Sequence, residues 1–337
     1  MNILLTGGAG YIGSHTAVAL SQAGYELVLL DNFCNSNPSV LERLQKILGK
    51  PLHCVEGDVR DTSLVTKTLR EYKIDAVIHF AGLKAVGESV EKPIEYYTNN
   101  VQGTISLLEA MELVGVKKLV FSSSATVYGN PQYLPVDEAH PTGATNAYGR
   151  SKLHIEEMLK DVANSNSAWK IICLRYFNPV GAHESGLIGE DPGDIPGNLM
   201  PYIALVASGK LPSLNVFGND YPTPDGTGVR DYIHVMDLAE GHLAALEYLS
   251  GYSGWDAINL GVGLGISVLD LVSAYKKISG RKIPFEILER RQGDIGECWA
   301  KVDMAYERLQ WRAKRSIELS CQDSWRYICS NGLRKNI

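Results

Sequence analysis

Residues 2–13 read Asn2-Ile3-Leu4-Leu5-Thr6-Gly7-Gly8-Ala9-Gly10-Tyr11-Ile12-Gly13, and this stretch decides the fold. Its first part, Asn2–Thr6, is a short apolar run of the kind found in strands that are buried on both faces. Three glycines follow it in the spacing Gly7-x-x-Gly10-x-x-Gly13. Because a helical pattern covers Ile12–Ala23, the stretch predicts a strand, a tight glycine turn and a helix in direct succession.

Apolar runs rich in Val, Ile and Leu alternate with helical patterns over the first half of the chain. The predicted strands are Asn2–Thr6, Glu26–Leu30, Pro51–Glu56, Ala76–Phe80, Lys118–Ser122 and Lys170–Arg175. The predicted helices between them are Ile12–Ala23, Ser39–Leu48, Thr62–Tyr72, Ile94–Val114 and Tyr148–Ala163. Strand–helix alternation indicates a parallel sheet with right-handed crossovers. We therefore predict an α/β fold whose doubly wound parallel sheet, of the Rossmann type, covers residues 1–180.

The second half of the chain has a different composition. Gly, Pro, Asn and Asp are frequent in residues 178–232, where one helix is predicted near Asn198–Ala207. A further helix, Val235–Leu249, and a strand, Ala257–Leu260, are predicted to return to the main sheet, so we assign residues 233–262 to the first domain. The remaining residues of 181–337 are predicted to form a smaller C-terminal α/β domain that binds the substrate.

The composition limits the kind of protein that this chain can be. A length of 337 residues suggests about two domains, and a formal net charge of -6 argues against a nucleic-acid surface. The six cysteines show neither Cys-x-x-Cys pairs nor zinc spacing, so we expect free thiols and no metal. We see neither a leader-like segment nor a long uncharged apolar stretch, and we therefore expect no membrane partner and a cytoplasmic location.

The glycine turn predicts a dinucleotide site. Its glycines permit a tight turn and close approach of the backbone to a pyrophosphate, which the free N–H groups of the next helix also attract. Asp31 ends the second strand, eighteen residues after Gly13. A carboxylate there accepts hydrogen bonds from the adenosine ribose and repels a 2′-phosphate, so NAD is favoured over NADP. The alternatives without a cofactor role are a plain loop for the three glycines and a surface aspartate for Asp31.

Two further segments follow predicted strands at the edge where open parallel sheets bind ligands. Asp58 follows the third strand, and Phe80-Ala81-Gly82 follows the fourth. The Asp58 carboxylate can bind the adenine amino group or, as an almost equal alternative, cap the next helix.

Tyr148-Gly149-Arg150-Ser151-Lys152 predicts the catalytic centre. On a helix, Tyr148 and Lys152 lie one turn apart on one face. A free phenol has a pKa of about 10, and holding it ionised near neutral pH needs roughly 4 kcal/mol. One ammonium about 4 Å away supplies that much at an effective dielectric constant of about 20. Ser124, at the end of the fifth strand, is predicted to relay the proton of a reacting hydroxyl to Tyr148.

Together these residues resemble the extended short-chain dehydrogenase/reductase superfamily and, within it, the UDP-glucose 4-epimerase family. The resemblance covers almost the whole chain. It is carried by the segments 31–36, 79–89, 122–129, 175–182, 198–202 and 226–234. It implies a UDP-hexose 4-epimerase that oxidises and re-reduces the sugar carbon through a 4-keto intermediate, with NAD bound throughout.

The resemblance also implies which residues touch each ligand. NAD would be held by Gly7, Gly10, Tyr11, Ile12, Gly13, Asp31, Asn32, Phe33, Cys34, Asn35, Ser36, Asp58, Val59, Phe80, Ala81, Gly82, Lys84, Asn99, Ser124, Tyr148, Lys152 and Phe177. The UDP-sugar would be held by Lys84, Ser124, Tyr148, Asn178, Asn198, Leu199, Asn215, Val216, Phe217, Arg230, Arg291, Asp294 and Cys298. In this set Arg230 and Arg291 can neutralise the diphosphate with forked hydrogen bonds.

One residue departs from the pattern of family members restricted to glucose and galactose. Those members carry a tyrosine where this chain has Cys298, whereas members that accept N-acetylated sugars have a small residue. A small side chain leaves room for a 2-acetamido group, so the resemblance implies turnover of UDP-N-acetylglucosamine and UDP-N-acetylgalactosamine as well. The alternative is that Cys298 is a small core residue and neighbouring loops refill the space.

Three rival functions are weighed against this one. A sugar-nucleotide dehydratase shares the fold but needs an Asp-Glu pair beside the active-site serine, where this chain has Ala125 and Thr126. An alcohol dehydrogenase would exchange its NAD with solvent. A non-catalytic dinucleotide-binding regulator would have no need of a serine, a tyrosine and a lysine together. The resemblance further implies a homodimer, for which Val101–Met111 and Leu153–Val162 are candidate interface helices.

Overall fold

The computed structural model of the chain describes residues 1–191, 196–291 and 293–331. The strands are β1 (Asn2–Thr6), β2 (Glu26–Asp31), β3 (His53–Glu56), β4 (Ala76–His79), β5 (Lys118–Ser124), β6 (Lys170–Tyr176), β7 (Asn178–Val180), β8 (Leu214–Phe217), β9 (Val229–Arg230), β10 (Tyr232–His234), β11 (Gly254–Leu260), β12 (Ile266–Ser267), β13 (Phe285–Leu288) and β14 (Glu297–Cys298). The helices are α1 (Tyr11–Gln22), α2 (Ser39–Leu48), α3 (Thr62–Glu71), α4 (Val86–Glu91), α5 (Pro93–Tyr96), α6 (Gly103–Val114), α7 (Ala147–Ser165), α8 (Leu199–Ala207), α9 (Val235–Tyr248), α10 (Val268–Ser279), α11 (Asp303–Leu309) and α12 (Ile317–Asn331).

A seven-stranded sheet forms the centre of the fold, in the order β11-β6-β5-β4-β1-β2-β3. All of its neighbouring strands pair in parallel. Successive side chains of a strand point to opposite faces, so Ile3 and Leu5 pack under one helical layer while Leu4 packs under the other. The predicted α/β fold with a doubly wound parallel sheet is therefore confirmed.

Most predicted elements lie within a few residues of the observed ones, and the differences have physical causes. The third strand begins at His53 rather than at Pro51, since proline has no N–H for the ladder. The predicted helix Ile94–Val114 is α5 and α6 joined by a π-helical segment, Tyr97–Gln102. Within that segment the Asn100 amide bonds the backbone of Leu83 at 2.8 and 3.1 Å, which ties the irregular turn to the loop after β4.

The second half of the chain adds a strand to the main sheet and builds a separate cluster. β11 pairs in parallel with β6, so this strand returns to the main sheet as predicted. Helices α8, α10 and α12 pack on one another, and each also contacts a small sheet: α8 contacts β8, which pairs with β13, α10 contacts β12, which pairs with β9, and α12 contacts the β7–β10 pair. The two domain boundaries as such stay a prediction.

No helix in the described part of the chain is both long and apolar enough to cross a bilayer. Across the same residues, His, Cys, Asp and Glu side chains nowhere gather in threes in a way that could hold a metal ion.

Candidate active site

The glycine turn between β1 and α1 has the geometry that a bound dinucleotide needs. Gly7 has a φ of +67°, and a Cβ at this residue would lie 2.7 Å from the amide nitrogen of Ala81. A Cβ on Gly13 would lie 2.5 Å from the carbonyl oxygen of Gly7. Side chains are therefore excluded on steric grounds, and the N-terminal turn of α1, which begins after Gly10, presents its backbone at the carboxyl edge of the sheet.

Asp31 organises the loop beside this turn. Its carboxylate is 7% exposed and accepts hydrogen bonds from the amides of Ala9 and Phe33 and from the Ser36 hydroxyl, each at 2.9 Å. Asp31 thus links the glycine turn to the segment 32–36, all of which the sequence analysis assigns to the cofactor. Its contact with a ribose stays a prediction.

Asp58 is not a helix cap. The residue that caps α3 is Asp61, whose side chain accepts from the amide of Leu64 at 2.9 Å. The Asp58 carboxylate instead binds the Arg60 guanidinium at 2.7 and 2.8 Å and the Asn32 amide at 3.0 Å. These bonds lower its pKa to about 2, so it is anionic across the physiological range. The capping alternative is wrong, and the adenine contact stays a prediction.

The predicted catalytic side chains come together at the carboxyl end of β5. Asn146 starts α7 by accepting from the amide of Gly149 at 2.8 Å, which places Tyr148 in the first turn. One turn later, the buried Lys152 donates through Nζ to the Ser122 carbonyl oxygen at 2.7 Å. Ser124 ends the same strand, and its hydroxyl acts on the Tyr148 phenol through a hydrogen bond.

Lys152 also connects α7 to the glycine turn. A Cβ on Gly82 would lie 3.7 Å from Lys152 Nζ, and Ala81 is the residue that approaches Gly7. The loop after β4, which contains Phe80, Ala81 and Gly82, therefore lies between the glycine turn and Lys152. Val59 and Phe177, also assigned to the cofactor, are both buried. The arrangement fits a dinucleotide that reaches from the glycine turn to Tyr148.

Burial acts on the pKa values of both Tyr148 and Lys152. Burial raises the pKa of the Tyr148 phenol above its usual range, and the Ser124 hydrogen bond opposes this only in part. Burial also lowers the pKa of Lys152 to about 8. The ammonium of Lys152 is held by the Ser122 carbonyl, and in the protein alone it does not offset the desolvation of the phenol. In the protein without its ligands the Tyr148 pKa is thus raised, and the phenolate of the NAD-bound site stays a prediction.

A buried ion pair beneath the site was not predicted. Glu156 follows Lys152 by one turn of α7, and its carboxylate pairs with Arg175 of β6 at 2.6 Å. The two side chains are 1% and 6% exposed. The hydroxyl of Ser123, the residue before Ser124, also donates a hydrogen bond to the Glu156 carboxylate. A glutamate at helical spacing from Lys152 is the only signal that sequence carries for this contact.

Two of the predicted substrate residues are arginines, Arg230 and Arg291, which lie in the second half of the chain. Arg230, in β9, donates to the carbonyl oxygens of Ile295 and Gly296 at 2.9 and 3.2 Å. The Arg291 guanidinium lies 3.8 Å from the centre of the Phe217 ring. Among the described residues neither arginine forms an ion pair with a carboxylate. Both charges are thus free to attract an anion such as a diphosphate.

The remaining predicted substrate residues lie on β7 and β8, at the start of α8 and in nearby loops. Asn215 and Val216 precede Phe217 in β8, and the amide of Asp294 donates to the carbonyl of Arg291 at 3.2 Å. Asn178 begins β7 and is exposed, while Leu199 begins α8 just after Asn198. The Asn198 amide donates to Glu190 at 2.7 Å, and Lys84 donates to the same carboxylate at 3.1 Å. Glu190 was not predicted.

Cys298 lies beside Arg230 but is largely buried. The two residues are paired in register between β14 and β9. Burial raises the pKa of the Cys298 thiol, and the positive charge of Arg230 opposes this rise. Cys298 is 5% exposed and belongs to a small apolar cluster with Val127 and Phe177. The position is therefore adjacent to predicted ligand contacts, and the core alternative stays open.

The chain is similar to a known protein family and to several known proteins. The NAD dependent epimerase/dehydratase family matches residues 3–261. The UDP-glucose 4-epimerase of Bacillus subtilis (strain 168) is 57% identical over 331 residues, which is 98% of this chain and 98% of that protein. A structure of the Bifidobacterium longum UDP-glucose 4-epimerase in complex with NAD+ and UDP is 52% identical, with a TM-score of 0.96 over 98% of this chain and 99% of that one. A Stenotrophomonas maltophila UDP-glucose 4-epimerase with bound NAD and formylated UDP-arabinopyranose is 50% identical, with a TM-score of 0.95 over 97% of both chains.

Proposed function

The chain belongs to the NAD dependent epimerase/dehydratase family, and we propose that it is a UDP-hexose 4-epimerase with NAD as its bound cofactor. The observation that carries this proposal is the convergence of Ser124, Tyr148 and Lys152 next to a dinucleotide turn. Purified protein incubated with UDP-galactose, without added NAD, is expected to form UDP-glucose. Absence of product, or a need for NAD in stoichiometric amounts, would reject the proposal.

Each residue has a defined task in the proposed reaction. Bound NAD supplies a hydride acceptor beside C4 of the sugar and the positive charge of its nicotinamide ring. The Tyr148 phenolate takes the proton of the 4-hydroxyl, and Ser124 relays it. The Lys152 ammonium, with its pKa of about 8, contributes positive charge near neutral pH. Arg230 and Arg291 hold the diphosphate, so the 4-ketose can turn over within the cleft while it stays anchored.

The rival functions are less well supported. Ala125 and Thr126 follow Ser124 in a short 3-10 helix, and Thr126 donates to the Ser124 hydroxyl oxygen at 2.9 Å. Neither residue offers the acid and base that elimination of water needs, so a dehydratase lacks its proton donor at this place. A non-catalytic regulator does not account for a desolvated lysine and tyrosine at the end of β5.

We also propose that the enzyme accepts UDP-N-acetylhexosamines through the small side chain at Cys298. Replacing Cys298 with Tyr is expected to abolish turnover of UDP-N-acetylgalactosamine and to leave that of UDP-galactose within about threefold, because a phenol cannot fit among Val127 and Phe177 and must enter the cleft. Initial rates with both substrates measure the effect. The matched control is Cys329→Tyr, since that cysteine is exposed. Equal loss of both activities would contradict the pocket assignment.

A homodimer is proposed as the assembly. Val90 and Ile94 are 65% and 80% exposed on α4 and α5, and both helices pack against α7. The apolar residues of α6 largely face the core, as Leu107 and Met111 do, whereas Ile105 and Leu113 are exposed. Sedimentation of the purified protein is expected to give twice the 36.9 kDa mass of one chain.

We further infer a cytoplasmic location. All six cysteines are free thiols in the structure, which is typical of proteins from a reducing compartment.

A further inference from the structure

The Glu190 carboxylate joins two residues that come from opposite sides of the cleft. Its Oε1 accepts from Lys84 Nζ at 3.1 Å and from Asn198 Nδ2 at 2.7 Å. Lys84 belongs to the loop after β4, on the side of the glycine turn, whereas Asn198 immediately precedes α8. One oxygen atom thus connects the cofactor side of the cleft to the substrate side.

Burial indicates which partner is fixed. The Glu190 side chain is 10% exposed and that of Lys84 is 47% exposed, so the carboxylate is the anchored member of the pair. The negative charge of Glu190 also raises the pKa of Tyr11, after the larger effect of burial. Tyr11 begins α1 and donates to the Gly181 carbonyl at 2.7 Å. Glu190 therefore lies close to the start of the dinucleotide-binding helix.

The contact fixes the orientation of the Asn198 amide. An ionised carboxylate only accepts hydrogen bonds, so the NH₂ group of Asn198 must face Glu190 and its Oδ1 must point elsewhere. An asparagine that precedes a helix ordinarily uses its side chain to cap the helix, but Asn198 makes no capping bond to α8. The Asn198 side chain therefore bonds the Glu190 carboxylate instead of the backbone at the start of α8.

We propose that Glu190 is a positioning residue for substrate binding, which orients the Asn198 amide and the Lys84 ammonium toward the UDP-sugar. The inference rests on the proposed function, which assigns both residues to that ligand. Asn198 then offers its carbonyl oxygen, and Lys84 its two remaining N–H groups, to hydroxyl and phosphate oxygens. Glu190 acts through these two side chains, and its loss affects binding more than the chemical step.

The Glu190→Ala variant is expected to raise the KM for UDP-galactose about tenfold and to change kcat by less than about threefold, since charge-assisted hydrogen bonds are lost only from the binding groups. Glu190→Gln keeps a carbonyl acceptor for Asn198 but loses the charge toward Lys84, so its KM is expected between those of the wild type and Glu190→Ala. A purely structural role would give no such order and would lower kcat, melting temperature and NAD content together.

Glu184→Ala is the matched control, since it removes an exposed carboxylate from the same segment and should leave KM unchanged. Calorimetric titration with UDP gives a second readout that needs no turnover. A wild type that binds UDP but turns over no UDP-hexose would reject the proposed function, and the UDP affinities would still test Glu190. A lower KM or tighter UDP binding in Glu190→Ala, or no change in either, would overturn the proposal. Should Glu190→Ala fail to fold, the same titration of Glu190→Gln decides between weaker and unchanged binding.

Discussion

Replacing Tyr148 with Phe is expected to reduce kcat for UDP-galactose by a factor of about 10²–10⁴, the range that general acid–base catalysis contributes. The phenyl ring keeps the packing of the first turn of α7 and removes only the hydroxyl. Because burial raises the pKa of this phenol and Ser124 counteracts burial only in part, the protein alone does not provide the base. The phenolate is therefore expected to form in the site with NAD and substrate bound, where the charges of Lys152 and the nicotinamide ring add to the Ser124 hydrogen bond.

Two measurements separate this effect from a structural one. The NAD content and the calorimetric affinity for UDP are expected to stay close to those of the wild type, since the phenyl ring is kept and the many other predicted contacts to NAD and UDP do not involve this hydroxyl. The exposed Tyr306, replaced by Phe, is the matched control and should keep full activity. A Tyr148→Phe variant with more than about a third of the wild-type kcat would mean that another group is the base.

Removing the Glu156 carboxylate is expected to have the largest effect on stability. Glu156→Ala leaves the Arg175 guanidinium buried without its counter-charge, which costs about 3–5 kcal/mol. The substitution also removes the hydrogen bond between Ser123, the neighbour of Ser124, and α7. This contact then no longer fixes the distance between Tyr148 and Ser124. We expect a lower denaturant midpoint of unfolding and a loss of kcat in the protein that remains folded.

The neighbouring residue provides the control for this prediction. Glu157 is exposed on the same helix, so Glu157→Ala should leave both the midpoint and kcat unchanged. Replacing both partners, as in Glu156→Leu with Arg175→Met, is expected to recover much of the stability but not the activity, because the buried charge is gone while the Ser123 contact is still missing. Equal midpoints for Glu156→Ala and Glu157→Ala would show that the ion pair contributes nothing measurable.

The parts of the site that were predictable from sequence are those with a fixed local pattern. The spacing of Gly7, Gly10 and Gly13 after an apolar strand determines a turn in which a Cβ cannot fit. The i to i+4 spacing of Tyr148 and Lys152 determines that they share a helix face. Asp31 was found because the end of a buried strand is visible as the end of an apolar run. Each of these features depends on residues close in the chain.

The parts that were missed depend on long-range contacts. Glu190 and Lys84 are more than a hundred residues apart in the chain, and no local pattern marks their pairing. Glu156 and Arg175 are much closer in the chain, but they too meet only because β6 lies next to β5 and α7 packs on both. The raised pKa of Tyr148 in the protein alone was not predictable from sequence, because the cost of burial is a property of the packed protein.

The fate of the hydrogen on C4 of the sugar distinguishes hydride transfer to bound NAD from exchange with solvent. The account requires that this hydrogen leaves and returns within one closed site, next to Tyr148, without exchange with water. UDP-galactose carrying deuterium at C4, incubated with the purified protein and no added NAD, is therefore predicted to give UDP-glucose that retains the deuterium at C4, as read by mass spectrometry and proton NMR. Product in which solvent hydrogen has replaced the deuterium at C4 would contradict the account.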